Sequence, residues 1–231
     1  MAIMPLLEEA LGLTTDDSKY IYLSDGGHFE NLGLYEMVRR RCRFIVVVDA
    51  GCDETFAFQD LGNAVRKIEI DFGIRISFRA LEKLERRPID GRDLGPGRDY
   101  HAIGTIHYAA ADRASQNGVI LYLKAGYHGV ESAGIRSYAM ANPDFPHQGT
   151  MDQWFNESQL ESYRALGFEI AEHALGKALR EETCRPDPSL EDILTLLAKT
   201  ASAGSERETV HAEGKARPQR RARPLTHPRS Q

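Results

Sequence analysis

No G-x-S-x-G stands anywhere in the 231 residues, and no apolar run approaches the roughly 18 residues a membrane-spanning helix needs. Cysteine is scarce. The three present, Cys42, Cys52 and Cys184, are odd in number and lack metal-ligand spacing, which argues against a disulfide framework and a zinc site and for a reducing compartment. The opening MAIMPLLEEALGL has neither the basic lead nor the cleavage pattern of a secretory signal. These absences predict a cytoplasmic chain whose contact with a membrane, if any, is peripheral.

What is present suffices for a folded body, since 42% of the residues are hydrophobic. The net charge of −5 conceals an asymmetry, because residues 201–231 hold seven Lys or Arg against three Glu. That stretch is poor in large apolar side chains and interrupted by Pro218, Pro224 and Pro228, so a disordered basic tail is expected. A solvated end with no nucleic-acid partner is its simplest reading. Residues 1–200 are then the domain.

Along that body the periodicities alternate. Tyr20–Ser24 is short, β-rich and followed by a glycine turn; Leu34, Met37 and Val38 take helical spacing, with Arg39, Arg40 and Arg41 where cations suit the helix dipole. Phe44–Val48 is an unbroken apolar, β-branched run, the pattern of a parallel strand covered on both faces. A strand, helix, strand crossover would bring Asp25 and Asp49 to one carboxyl edge of a sheet.

Leu61, Val65, Ile68 and Phe72 mark a second helix closed by Gly73, with a strand expected over Ile74–Phe78. Pro88–Tyr100 reads as an exposed loop, and Ala102–Tyr108 with Val119–Lys124 as a hairpin on a long connection. Thr150 and Gln153 suggest a capping box, with Trp154, Phe155, Gln159, Tyr163 and Leu166 on the following helix, extended past Gly167 through Ala178. A final helix is expected from Leu190.

Asp25-Gly26-Gly27 alone is what any tight turn selects, because Asp bonds its own backbone and Gly accepts positive φ. The wider segment carries more. SDGGHFENLGLYEMVRRRCRFIVVVDAG at Ser24–Gly51, FQDLGNAVRKIEIDFGI at Phe58–Ile74 and FPHQGTMDQWFNESQLESYRALG at Phe145–Gly167 resemble the corresponding regions of bacterial patatin-like phospholipases.

The resemblance implies an α/β layered fold, a mainly parallel sheet flanked by helices, here incomplete on its N-terminal side. It also implies a two-residue Ser-Asp dyad that hydrolyses acyl esters of phospholipid or neutral lipid. Asp25 matches the dyad aspartate; no residue matches the serine, and the family's glycine-rich oxyanion loop is absent. The chain therefore reads as the C-terminal portion of such a domain, needing an upstream segment or another chain to supply the nucleophile. A non-catalytic remnant or lipid- or protein-binding module is the alternative.

Within that reading, burial would make Asp25 a stronger base, and Gly26 and Gly27 would let its carboxylate approach the serine. His28, Glu30, Asn31 and Asp49 are the candidates for orienting it, although helix capping or surface exposure explains His28 and Glu30 better and the helix N-cap is the simplest reading of Asn31. Cys42, beside four arginines, is a weaker nucleophile candidate. His101, His107, His128 and His147 show no ligand spacing, DAGCD at Asp49–Asp53 is not a hydrolase D-x-D, and neither metal nor organic cofactor is expected.

Overall fold

The structure, a computed structural model, describes residues 3–15, 17, 25–84, 99–149 and 151–181, together with isolated positions between 189 and 199. The strand expected at Tyr20–Ser24, the cap at Thr150, most of the loop from Pro88 and the basic tail lie outside them.

Helix α1 (Ile3–Ala10) is followed by a 3-10 turn at Gly26–His28 and by α2 (Leu34–Arg39). Strand β1 (Phe44–Asp49) leads to α3 (Gln59–Phe72), β2 (Ile76–Arg79), β3 (His101–Ile106), α4 (Tyr108–Ala111) and β4 (Gly118–Lys124). Helices α5 (Ala133–Ala141) and α6 (Glu157–Glu181) follow, and residues 191–193 are again helical. The expected second helix is realised in α3, where Leu61 and Ile68 are buried and Gly73 ends the last turn at φ 66°. Gly167 does not interrupt α6, since the turns around it bury Leu166, Ile170 and Ala174.

The four described strands run in the order β1-β4-β3-β2. Only β1 and β4 are parallel; β4–β3 and β3–β2 are antiparallel, so this sheet is mixed and not mainly parallel. The reason is local. The connection from β3 to β4 contains only the single helical turn of α4 and a polar loop, which reverses the chain beside itself instead of carrying it across the sheet.

β1 departs from expectation too. Ile45, Val47 and Asp49 are buried, but Val46 and Val48 are 42% and 66% exposed, so one face of the strand is bare and not covered on both sides. Among the described residues β1 pairs with β4 alone and leaves its other edge open.

Two apolar clusters form the core. Leu34 and Val38 of α2 and Leu61, Ala64 and Ile68 of α3 join Val47, Ile120 and Tyr122 in one. Ile135 and Ala139 of α5 and Leu166, Ile170 and Ala174 of α6 join Leu121, Leu123 and Phe145 in the other. Asp99 and Tyr100, expected in an exposed loop, are instead held in place: Asp99 bridges Leu84, and Tyr100 is buried with its carbonyl accepting from the Lys124 N–H of β4 at 2.9 Å. Trp154 and Phe155 run the other way. They precede α6 and stand 93% and 57% exposed, where Asn156 supplies a capping oxygen to the Gln159 N–H at 2.8 Å.

Candidate functional site

The parallel pairing of β1 and β4 places Asp49 opposite Lys124 at the carboxyl ends of both strands, and antiparallel β3 begins at the same edge, with His101 opposite Leu123. Chain after this edge is loop, the usual position for sites in α/β folds.

Asp25 opens its 3-10 turn as the N-cap residue, with Oδ1 accepting from the Gly27 N–H at 3.0 Å. Its side chain is exposed, not buried as a strong base would need, and among the described residues no serine or cysteine hydrogen-bonds to it. The two glycines differ in what they permit. A Cβ on Gly27 would lie 2.6 Å from Oδ1 of Asn31, so the Asn31 side chain occupies the space a larger residue would need, whereas a Cβ on Gly26 would meet nothing within 4 Å.

Asn31 does not cap α2. Gly33 does, at φ 68°, while the Asn31 amide donates to both carboxylate oxygens of Asp60 at 3.1 and 3.2 Å. Glu30 is buried and accepts from the N–H groups of Leu32 at 2.5 Å and Tyr35 at 3.2 Å, which satisfies free donors at the start of α2 and leaves Glu30 no bond to Asp25. His28 is exposed, and its Nδ1 lies 3.2 Å from the backbone oxygen of Asp25, not from the carboxylate.

Asp60 lies near the sheet edge as well. A Cβ on Gly51 would stand 3.3 Å from Oδ1 of Asp49 and 3.4 Å from Oδ2 of Asp60, so the two carboxylates flank the same glycine.

At the edge itself lies a buried polar network. Asp49 is 2% exposed; its carboxylate accepts from the Tyr122 hydroxyl at 2.5 Å and the Gly51 N–H at 3.0 Å, and pairs with Lys124 Nζ at 3.0 Å. Lys124 Nζ also lies 3.6 Å from Oδ2 of Asp53 and donates to the Gly51 carbonyl at 3.4 Å. Burial and the adjoining Asp49 carboxylate push the Tyr122 hydroxyl far above its ordinary pKa. For Asp53, burial would raise the pKa, but N–H donation from Ala57 and Phe58, with Lys124 beside it, outweighs burial and holds the carboxyl low.

Those two N–H bonds shape the following loop. Phe56 and Phe58 both sit at left-handed φ, 52° and 53°, a conformation that costs about 1–2 kcal/mol for a residue with a side chain and persists only where neighbours enforce it. Phe56 packs edge-on against His147 at 5.2 Å between ring centroids. His147 Nδ1 accepts from the Asp53 N–H at 3.2 Å and its carbonyl accepts from Cys52 Sγ at 2.9 Å. Burial, reinforced by Lys124, lowers the pKa of the imidazole, so the neutral ring is favoured.

Lys124, Tyr122, Asp60 and His147 were not legible as site residues. Lys124 ends an apolar run as solvent-seeking lysines often do, and only its pairing with Asp49 and Asp53 shows why it is buried. Cys42 is half-buried against the first core cluster, which withdraws it from solution nucleophile chemistry.

The class defined by fold and site is an α/β domain with a mixed sheet, a charged network closed into its carboxyl edge, and an exposed Asp-Gly-Gly turn. No family model matches the chain, and no curated protein or solved structure matches it.

Proposed function

We propose that this chain is the aspartate-bearing portion of a patatin-like acyl-ester hydrolase, in which Asp25 acts as the base for a serine supplied by another segment or chain. The observation that carries the reading is the turn itself: a carboxylate with one oxygen engaged by the Gly27 N–H and presented to solvent, with Asn31 packed beside Gly27 and bonded in turn to Asp60 of α3. Docking of the serine-bearing segment over Asp25 would withdraw it from water and so raise its basicity. The serine hydroxyl would pass its proton to Asp25 while its oxygen attacks the ester carbonyl; collapse of the tetrahedral intermediate would break the ester C–O bond, with Asp25 returning the proton to the departing alcohol. Water, deprotonated by the same carboxylate, would then attack the acyl-serine, releasing the carboxylic acid and regenerating the serine. The oxyanion donors come with the same absent segment.

Two surfaces support the reading. The bare Val46 and Val48 face and the open edge of β1 give such a segment an apolar, hydrogen-bonding seat. Exposed Met151, Trp154 and Phe155, in the loop following His147, suit contact with a lipid surface. Among the described residues no helix is long and apolar enough to cross a membrane, so membrane contact would be peripheral.

The test is reconstitution. Residues 1–231 alone are expected to hydrolyse short acyl esters no faster than a protein blank and to resist a serine-directed fluorophosphonate. Co-expression with the polypeptide encoded immediately upstream is expected to create activity that Asp25→Asn removes. Labelling of the lone chain, or full activity with Asp25→Asn, overturns the proposal. Stable association without turnover would favour the interaction-module reading.

A further inference from the structure

We propose that Asp99, His101 and His173 form a binding site for a divalent transition-metal ion of the zinc class. One ligand atom from each residue can be chosen so that all three lie within 4.8 Å of one another. Oδ1 of Asp99 is 2.5 Å from Nδ1 of His101 and 3.4 Å from Nε2 of His173. Metal–ligand bonds of about 2.0–2.1 Å in a tetrahedral site put donors about 3.3 Å apart, so small side-chain rotations bring these three into a coordination shell.

The donors are held from separate elements. Asp99 forms a β-bridge with Leu84, and its carboxylate accepts from the Tyr100 N–H at 2.9 Å. His101 opens β3, and His173 stands on α6 between Ile170 and Ala174, whose burial fixes that helix against the sheet. The Tyr100 ring meets His173 edge-on, stacks on His128 at 4.2 Å and is anchored by its hydroxyl to Glu131 at 2.7 Å. The ligand side chains are therefore braced by packed neighbours, as metal sites require.

Nδ1 of His101 gives the second observation. It is buried and 2.5 Å from Oδ1 of Asp99, the same oxygen that Nε2 of His173 approaches, so two imidazole nitrogens converge on one carboxylate oxygen. A metal ion would take the place of the protons that such a cluster otherwise shares. Two imidazole nitrogens with one carboxylate oxygen suit zinc, cobalt or nickel, whereas calcium and magnesium take oxygen shells. His173 is half exposed, so water can complete the shell. An ion here would join the entrance of β3 to α6.

The full chain, stripped with a chelator, should be titrated with zinc chloride by calorimetry and with cobalt chloride by visible absorption. One equivalent is expected to bind, with a cobalt spectrum showing nitrogen ligation and a rise in Tm on zinc addition. His173→Ala changes an exposed side chain and should keep the native circular dichroism while weakening binding at least about tenfold. Asp99→Ala should do the same, and His28→Ala should leave binding intact. Failure of the wild-type chain to bind zinc, or binding unchanged in both His173→Ala and Asp99→Ala, overturns the site.

Discussion

Lys124 Nζ lies 3.0 Å from Oδ1 of Asp49, and the two side chains are 1% and 2% exposed. A pair so deeply withdrawn from water is tolerable only because its remaining bonding capacity is met, by the Tyr122 hydroxyl, the Gly51 backbone and Asp53. Removing one partner strands the other. Lys124→Met is therefore expected to destabilise the fold by about 3–5 kcal/mol in urea titrations, and Asp49→Asn to cost less because it leaves a hydrogen-bonding amide. Equal stability of Lys124→Met and wild type would mean that the pair is solvated in solution. The same burial makes Asp49 a poor residue for testing chemistry, since its loss acts first on the fold.

Asp60 offers a cleaner handle on the turn. It is half-buried and bonds the Asn31 amide from 29 residues away, so Asp60→Ala should loosen Asp25–Asn31 while costing global stability only about 1 kcal/mol. Hydrogen exchange is expected to speed up at the Gly27 and His28 amides and to stay unchanged in β4.

His147 sets an acid sensitivity whose sign follows from its lowered pKa. Above the unfolded-state value near 6.5 the ring is neutral in both states. As pH falls below that value the unfolded chain gains a proton that the folded chain resists, so stability declines until the depressed folded pKa is reached. The His147 contribution to unfolding free energy should therefore drop between pH 7.5 and 5.5, opposed by His173, whose pKa Asp99 raises, and His147→Gln should remove that drop relative to wild type. Asp53, also held low, contributes a separate loss at more acidic pH as its folded carboxyl titrates. A pH profile of His147→Gln identical to wild type would contradict this assignment.

The bare face of β1 predicts self-association. Val48 is 66% exposed on a strand whose outer edge is open among the described residues, a geometry that invites pairing with another chain. Val48→Lys should leave unfolding free energy within about 0.5 kcal/mol of wild type, and light scattering should show the variant staying monomeric at higher concentration. It should also weaken association with any serine-bearing segment. Identical association of variant and wild type would place the contact elsewhere.

The sequence by itself determined the elements whose causes are local. Leu61 and Ile68 share a helix face because residues seven apart nearly superpose in rotation, Gly73 ends that helix because it accepts positive φ, and the β-rich runs after Phe44, His101 and Gly118 became strands. The Asp25 turn belongs to the same group, its carboxylate bonding an N–H two residues on. Tertiary structure alone decided the rest. Whether Phe44–Val48 would be covered on one face or two depended on neighbouring elements that its own residues do not encode, and whether Lys124 would reach solvent depended on carboxylates about seventy residues distant. The joining of Asp53 to His147 across 94 residues, of Asn31 to Asp60, and of His173 to Asp99 likewise has no periodic signature. Such polar contacts depend on the backbone arrangement that the two apolar clusters hold, and the cost of leaving a charge unpaired in that interior selects the partner.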